Sequence, residues 1–213
     1  MLELQAITIA TPERVLVRDL SAQVAPGEVL VVMGESGSGK SSLLAMLVGS
    51  LPVSFIASGA LRLNGRDIGE LPTTQRRIGM LFQDDLLFPH MSVRDNLLFA
   101  LPAGAPRAAR IAQADAALRS AGLDGHGARA PHSLSGGQRS RVSVLRALLA
   151  RPEALLLDEP FSRLDAALRE RFRSFVFERI AAERIPALLV THDPQDIPPG
   201  AQVIELQPEV DDA

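Results

Sequence analysis

The chain has 213 residues, 46% of them hydrophobic and 22% charged, with a net charge of −3 and acidic and basic residues mixed along its length. Such a length can bury one sizeable core, and such a composition belongs to folded globular chains rather than disordered ones. No basic stripe is present to track a nucleic-acid backbone, so no nucleic acid is expected as a partner; the absence of cysteine excludes disulfides, thiolate metal sites and thiol nucleophiles.

The first stretch, MLELQAITIATPER, brings in Glu3 and has no basic segment ahead of an apolar run, unlike a signal peptide. Leu2 to Val24 alternates as antiparallel strands do, about a turn at Thr11 and Pro12. Val29 to Met33 (VLVVM) reads as a buried strand, as do Ala154 to Leu157 and Ala187 to Val190. Each of these three runs into a polar cluster: GESGSGKS, DEP and THD. Short apolar runs alternating with helical stretches predict an α/β fold with a mainly parallel sheet. Ligands of such sheets bind outside the carboxyl ends of the strands, so the three clusters are expected to converge on one site.

Ser41 to Leu61 carries no charge and is long enough to invite a membrane-span reading. Gly49, Pro52, Gly59 and three serines interrupt its latter half, where a spanning helix needs unbroken backbone hydrogen bonding. A buried helix over about 40–49, a turn and a short strand are predicted instead. From about Leu86 to Leu149 strand signals vanish. Helical spacing takes over in Ala108 to Ala121 and Gly137 to Leu149, which predicts an inserted helical subdomain with the loop Leu101 to Pro106 punctuating it. No internal repeat is visible, and the final EVDDA reads as a solvated acidic end.

GESGSGKS, spanning Gly34, Glu35, Ser36, Gly37, Ser38, Gly39, Lys40 and Ser41, fits the phosphate-loop pattern and stands directly between a strand and a helix. Its glycines let backbone N–H groups face inward around phosphate oxygens, and the following helix adds its positive end. Lys40 is expected to reach the β- and γ-phosphates and the Ser41 hydroxyl to ligate Mg²⁺. Lys40 is also the single lysine in a chain otherwise rich in arginine. A compact ammonium suits a phosphate cradle better than a forked guanidinium.

LSGGQ at Leu134 to Gln138, then RSRVSVLRALLARP, then LLLDEP at Leu155 to Pro160 form a more specific combination. With these motifs the chain resembles the ATP-binding subunits of ABC transporters from about Leu2 through Ile204. The resemblance implies a RecA-like P-loop ATPase core with an N-terminal antiparallel β subdomain (residues 1–85 and 150–213) and an inserted α-helical signature subdomain (about 86–149), all in one domain. ATP and Mg²⁺ are the implied cofactors. Gln83 looks like the glutamine that senses the metal and the attacking water, Asp158 like the metal-binding aspartate, and Glu159 like the general base. His192 resembles the switch histidine near the γ-phosphate, and Asp165 the aspartate that communicates across a dimer. Ser42 continues the nucleotide-binding loop. The implied assembly is a head-to-tail pair, in which Ser135, Gly136, Gly137 and Gln138 of one copy close over nucleotide held by the other.

These assignments also make sense residue by residue. Ser135 is placed as an N-cap before a helix starting near Gly137, giving a second anion-attracting helix terminus. His192 follows a strand predicted beside Asp158 and Glu159, whereas His90, His126 and His132 have no such context and read as ordinary loop residues.

Two departures stand out. Most of the family stack adenine on an aromatic residue in the turn near Thr11 and Pro12, but no aromatic residue precedes Phe55, leaving Pro12 or Val15 as the apolar faces at hand. The chain also stops soon after its last predicted strand, so the additional C-terminal regulatory domain of many related importers is not expected. The stretch Leu86 to Leu97 looks like that of importers of small solutes. It implies an integral-membrane permease as partner, a solute-binding protein in the complete system, and a peripheral place on the cytoplasmic face of the inner membrane. Cassettes that drive lipoprotein release or periplasmic mechanical work are the alternative. The permease is expected to dock on Phe82, Leu86, Leu87, Phe88 and Met91, an unusually apolar run.

Overall fold

The computed structural model describes residues 1–162 and 164–207; the acidic end expected at residues 209–213 lies outside them. The chain divides into two compact units, one from Met1–Met80, Glu153–Glu159 and the described residues after Glu178, the other from Leu81–Pro152 and Pro160–Glu178.

The first unit holds two sheets. β1 (Leu2–Ala10) and β2 (Val15–Val24) form the expected antiparallel pair and are followed by β3 (Val29–Met33) and α1 (Lys40–Val48). Next come β4 (Ile56–Leu63), β5 (Arg66–Asp67), the short α2 (Thr73–Arg76) and β6 (Ile78–Leu81). After the second unit's insertion come β7 (Ala154–Asp158), β8 (Ala187–Val190) and β9 (Gln202–Glu205). One sheet runs in the order β2-β1-β4-β5, the other β6-β7-β8-β3-β9.

The antiparallel sheet explains why β1 does not alternate cleanly. Leu2 and Leu4 are buried, Gln5 and Ala6 are exposed, and Ile7 and Ile9 are buried again. The register against β2 slips between Leu4 and Ile7, where Ala6 takes a φ of 50°. One extra residue resets the phase, so both apolar pairs face the core. A matching slip in β2 surrounds Asp19, at φ 46°. Side chains hold the two irregularities, with Ala6 N–H donating to Ser21 Oγ at 2.9 Å and Asp19 N–H to Thr8 Oγ1 at 3.1 Å.

In the second sheet β3, β7 and β8 are parallel and nearly continuous apolar runs, as strands covered on both faces are. Leu155 pairs with Ala187 and Val29 with Ala187, so the pairing carries Asp158, Val190 and Val32 to the same level at the carboxyl edge. The helix leaving the phosphate loop is shorter than the uncharged run containing it. Gly49 caps it with φ 79°, and the buried Arg76 donates to the Met46 and Leu47 carbonyls at 2.6 and 3.0 Å. Those carbonyls end a helix and have no partner within it. Burial lowers the Arg76 pKa, with Glu70 opposing the shift. No helix among the described residues is long and apolar enough to cross a membrane.

The second unit is helical: α3 (Val93–Ala100), α4 (Arg107–Ser120), α5 (Gly136–Leu149) and the larger part of α6 (Ala166–Glu183). Val93, Leu97, Ala114, Leu118, Val142 and Leu145 form the core shared by α3, α4 and α5. Phe161 meets Phe172 and Phe177 edge-on, with ring centroids 5.8 and 5.9 Å apart, which packs it against the middle of α6.

Candidate nucleotide site

The three polar clusters do converge. Glu35, Ser36, Gly37, Gly39, Lys40, Ser41 and Ser42 line a cavity of about 760 Å³ together with Asp158, Glu159 and His192. That volume is ordinary for a small-molecule site. The cavity forms where β3, β7 and β8, neighbours in one sheet, end side by side.

The phosphate loop needs its glycines. Gly39 has a φ of 92°, and a Cβ there would lie 2.8 Å from the Leu16 carbonyl oxygen. Gly34 takes a φ of 151°, and a Cβ would overlap both the Leu206 carbonyl and the Ser38 hydroxyl. Ser38 is buried, and its hydroxyl has no hydrogen-bond partner among the described residues. Lys40 is only 8% exposed, and its ammonium donates to the Gly34 and Glu35 carbonyls at 2.7 and 2.6 Å.

At the strand ends, burial raises the pKa of Asp158, the Glu159 charge raises it further, and the Lys40 ammonium opposes both. Glu159 adopts a φ of 43°, a left-handed conformation rare outside glycine, held by its N–H donating to the Val190 carbonyl at 3.0 Å. Such strained backbone clusters at functional sites. Its carboxylate lies 3.1 Å from His192 Nδ1. The loop carrying His192 is pinned from beneath by the buried Thr191, whose hydroxyl donates to Asp196 at 2.8 Å and accepts from the Asp193 N–H at 3.1 Å.

Among the described residues no three carboxylates, histidines or cysteines come together as a metal cage. Mg²⁺ does not require one, since it is commonly held by one or two protein groups together with substrate phosphates and water. The Ser41 hydroxyl and Asp158, whose pKa burial and then the Glu159 charge raise, fit such a site.

The remaining expected residues belong to the helical unit. Gln83 donates from Nε2 to Ser162 Oγ at 3.1 Å. It lines a second cavity of about 360 Å³ with Asp84, Asp85, Gly136 and Arg139. Ser135 is an N-cap as expected, with α5 starting one residue earlier than read, at Gly136. A capping box closes the helix start: the Gln138 N–H donates to Ser135 Oγ at 3.3 Å, and the Ser135 N–H to Gln138 Oε1 at 2.9 Å. Gly137 is buried against the Leu168 side chain. Asp165 accepts the Leu168 N–H at 3.0 Å at the start of α6. His126, read as an ordinary loop residue, stands with Nε2 3.4 Å from Gln138 Nε2.

The apolar run is split in its burial. Phe82 and Leu86 are 45% and 54% exposed, whereas Leu87 packs on the helical core. Phe88 is half-buried, edge-on to Phe99 at 4.9 Å with the Arg146 guanidinium 5.5 Å from its ring centre. The buried Asn96 holds this segment, accepting the Phe88 N–H and donating to the Phe88 carbonyl. Phe99, 65% exposed, was not among the residues expected on this surface.

The aromatic-free turn is where the sequence reading misses most. Neither Pro12 nor Val15 lines the nucleotide cavity; Thr11, Arg14, Leu16 and Phe55 do.

Residues 17–162 match the family described as ABC transporter. The chain belongs to the ABC transporter family. It is 48% identical to the Escherichia coli uncharacterized ABC transporter ATP-binding protein YnjD over 206 residues, 97% of this chain and 95% of that protein. It is 43% identical to the Fe(3+) ions import ATP-binding protein FbpC of Agrobacterium fabrum, over 82% of this chain and 49% of that protein. Against the sulfate/thiosulfate import ATP-binding protein CysA of Mycobacterium bovis the figures are 42%, 80% and 48%. The chain therefore spans about half the length of those two import proteins. ATP binding, and ATP hydrolysis coupled to transport, are the activity of the family and of this chain.

Proposed function

We propose that this chain is the ATPase subunit of an importer of a small solute, working as a peripheral protein on the cytoplasmic face of the inner membrane. A separate integral-membrane permease would be its partner, with a solute-binding protein in the complete system. The observation that carries the reading is the single cavity in which the phosphate loop faces Asp158, Glu159 and His192. The import names of the half-matched relatives support the direction of transport.

In the proposed mechanism Lys40 exchanges the Gly34 and Glu35 carbonyls for the β- and γ-phosphate oxygens. Ser41 and Asp158 would hold Mg²⁺, with Gln83 the further ligand that the family resemblance implies, and the ion would supply neutralisation of the charge developing on the transferred phosphoryl group. Glu159 takes the proton of the attacking water, and His192 fixes that carboxylate through its 3.1 Å contact. Residues 1–213 work as one ATPase domain whose signature subdomain is 86–149. Two copies pair head to tail, with Ser135, Gly136, Gly137 and Gln138 of one closing on nucleotide bound by the other and Asp165 at the contact. The exposure of Ser135 and Gly136 at the start of α5 supports this, because the positive end of that helix faces solvent, where an anion from outside can meet it.

Glu159→Gln tests the base. MgATP binding should persist, phosphate release should fall by about 10²–10⁴-fold, and gel filtration should show an ATP-dependent dimer. Turnover near the wild-type rate removes Glu159 from that role. The permease surface is tested at Phe99, which projects into solvent, rather than at the half-buried Phe88. Phe99→Asp should leave MgATP binding intact and weaken co-purification with the permease by about thirtyfold or more, as loss of an aromatic interface anchor does. Normal assembly places the docking surface elsewhere.

A further inference from the structure

Part of the nucleotide cavity belongs to no motif. Thr11, Arg14, Leu16 and Phe55 come from outside the phosphate loop and from outside the ends of β7 and β8. Three features place them. The Thr11 hydroxyl accepts the Glu13 and Arg14 N–H groups at 3.4 and 3.2 Å, and the Thr11 N–H donates to the Arg14 carbonyl at 2.8 Å, so the β1–β2 turn is closed by its own bonds. β1 pairs with β4 with Ala10 opposite Ile56, which sets Phe55 beside that turn. The first residues of β2 abut the phosphate loop where Leu16 meets Gly39. Phe55 is half-buried against the core, while Arg14 is exposed.

A nucleoside triphosphate whose phosphates lie in the loop must put its base against whatever wall remains. We propose that this wall is a purine subsite, in which the base stacks on the Arg14 guanidinium and the Phe55 ring. The inference rests on the ATP-binding reading and adds to it how the base is held. A guanidinium is planar, weakly hydrated and stacks on aromatic faces, and stacking on an arene tolerates any base because each has a π-face. Neither plane reads the edge of a purine, so the subsite holds adenine and guanine nearly alike and pyrimidines less well.

The probe is 2-aminopurine riboside triphosphate with Mg²⁺, titrated into the full chain and followed by the fluorescence quenching that accompanies stacking. The chain has no tryptophan and no tyrosine to obscure that signal. Arg14→Ala and Phe55→Leu should each abolish most of the quenching and weaken ATP and GTP together by about five- to a hundredfold, leaving the affinity for inorganic tripolyphosphate unchanged. Wild-type dissociation constants for ATP and GTP should agree within about tenfold. Should Phe55→Leu fail to fold, Arg14→Ala, at an exposed position, carries the test. Unchanged quenching in the Arg14 variant overturns the proposal. So does an equal loss of tripolyphosphate binding, which makes Arg14 a phosphate contact, or an ATP preference above about a hundredfold, which requires a group that reads the base edge. If the wild-type chain binds neither ATP nor tripolyphosphate, the nucleotide reading itself falls, a result separate from any of these.

Discussion

The phosphate side of the cavity is made largely of backbone and strand ends in motifs contiguous in sequence, whereas the side formed by Thr11, Arg14, Leu16 and Phe55 is assembled from side chains on separated stretches. The first kind of wall follows from local rules: a glycine that must take positive φ, a lysine, a hydroxyl, a strand running into acid residues. The second depends on which strand pairs with which, and in what register. A site can thus be strongly signalled for one part of its ligand and silent for another.

Gly39 touches both walls, so it offers the largest test of their independence. Gly39→Ala would force an L-residue to a φ of 92° and bring its Cβ to 2.8 Å from the Leu16 carbonyl. Strain of about 1–3 kcal/mol at one residue corresponds to roughly five- to a hundredfold. Affinity for ATP should fall within or beyond that range, and the melting temperature should fall as well. Wild-type affinity would mean that the β1–β2 turn can move away from the loop freely.

A smaller effect is expected at Asp158, inside the phosphate wall. An acid whose folded pKa lies above its unfolded value costs stability once it is ionised, so the nucleotide-free protein should lose stability as pH rises through that window. Asp158→Asn removes the cost. Its melting temperature without nucleotide at neutral pH should rise slightly, within the ~2–4 °C that 1 kcal/mol produces in a chain of this size, while the stabilisation by MgATP should shrink. Calorimetry with and without MgATP measures both, and a lower melting temperature without nucleotide would contradict the direction of the shift.

The same division governs what could be read in advance. The strands at 29–33, 154–158 and 187–190 and the cap at Ser135 were legible because each is a local pattern: a continuous apolar run, or a Ser followed three residues later by Gln. β6, β9 and α6 were not singled out. β6 and β9 are four residues each, with only Leu81 buried in β6 and no residue buried in β9, so they carry little apolar signal. Along α6 the arginines and glutamates interleave with phenylalanines on several faces, leaving no clean stripe. In the sequence Phe55 stands out only as the first aromatic residue of the chain. Its place in the cavity depends on the pairing of Ala10 with Ile56, a register set after a bulge that no alternation pattern displays. Leu86 and Phe99 show the same limit: an apolar run marks a segment, but tertiary packing decides which of its side chains face outward.

The hold of the Gly34 and Glu35 carbonyls on Lys40 has a consequence for the course of binding. A long, flexible side chain gives up its rotamer freedom when the loop folds rather than when a nucleotide arrives. Arrival then becomes an exchange of one set of oxygens for another around a stationary cation. The heat released should be modest, since two good hydrogen bonds are surrendered for stronger ones, and little conformational searching should precede capture. The Gly34 and Glu35 carbonyls thus hold the ammonium at the place from which it would meet the phosphates.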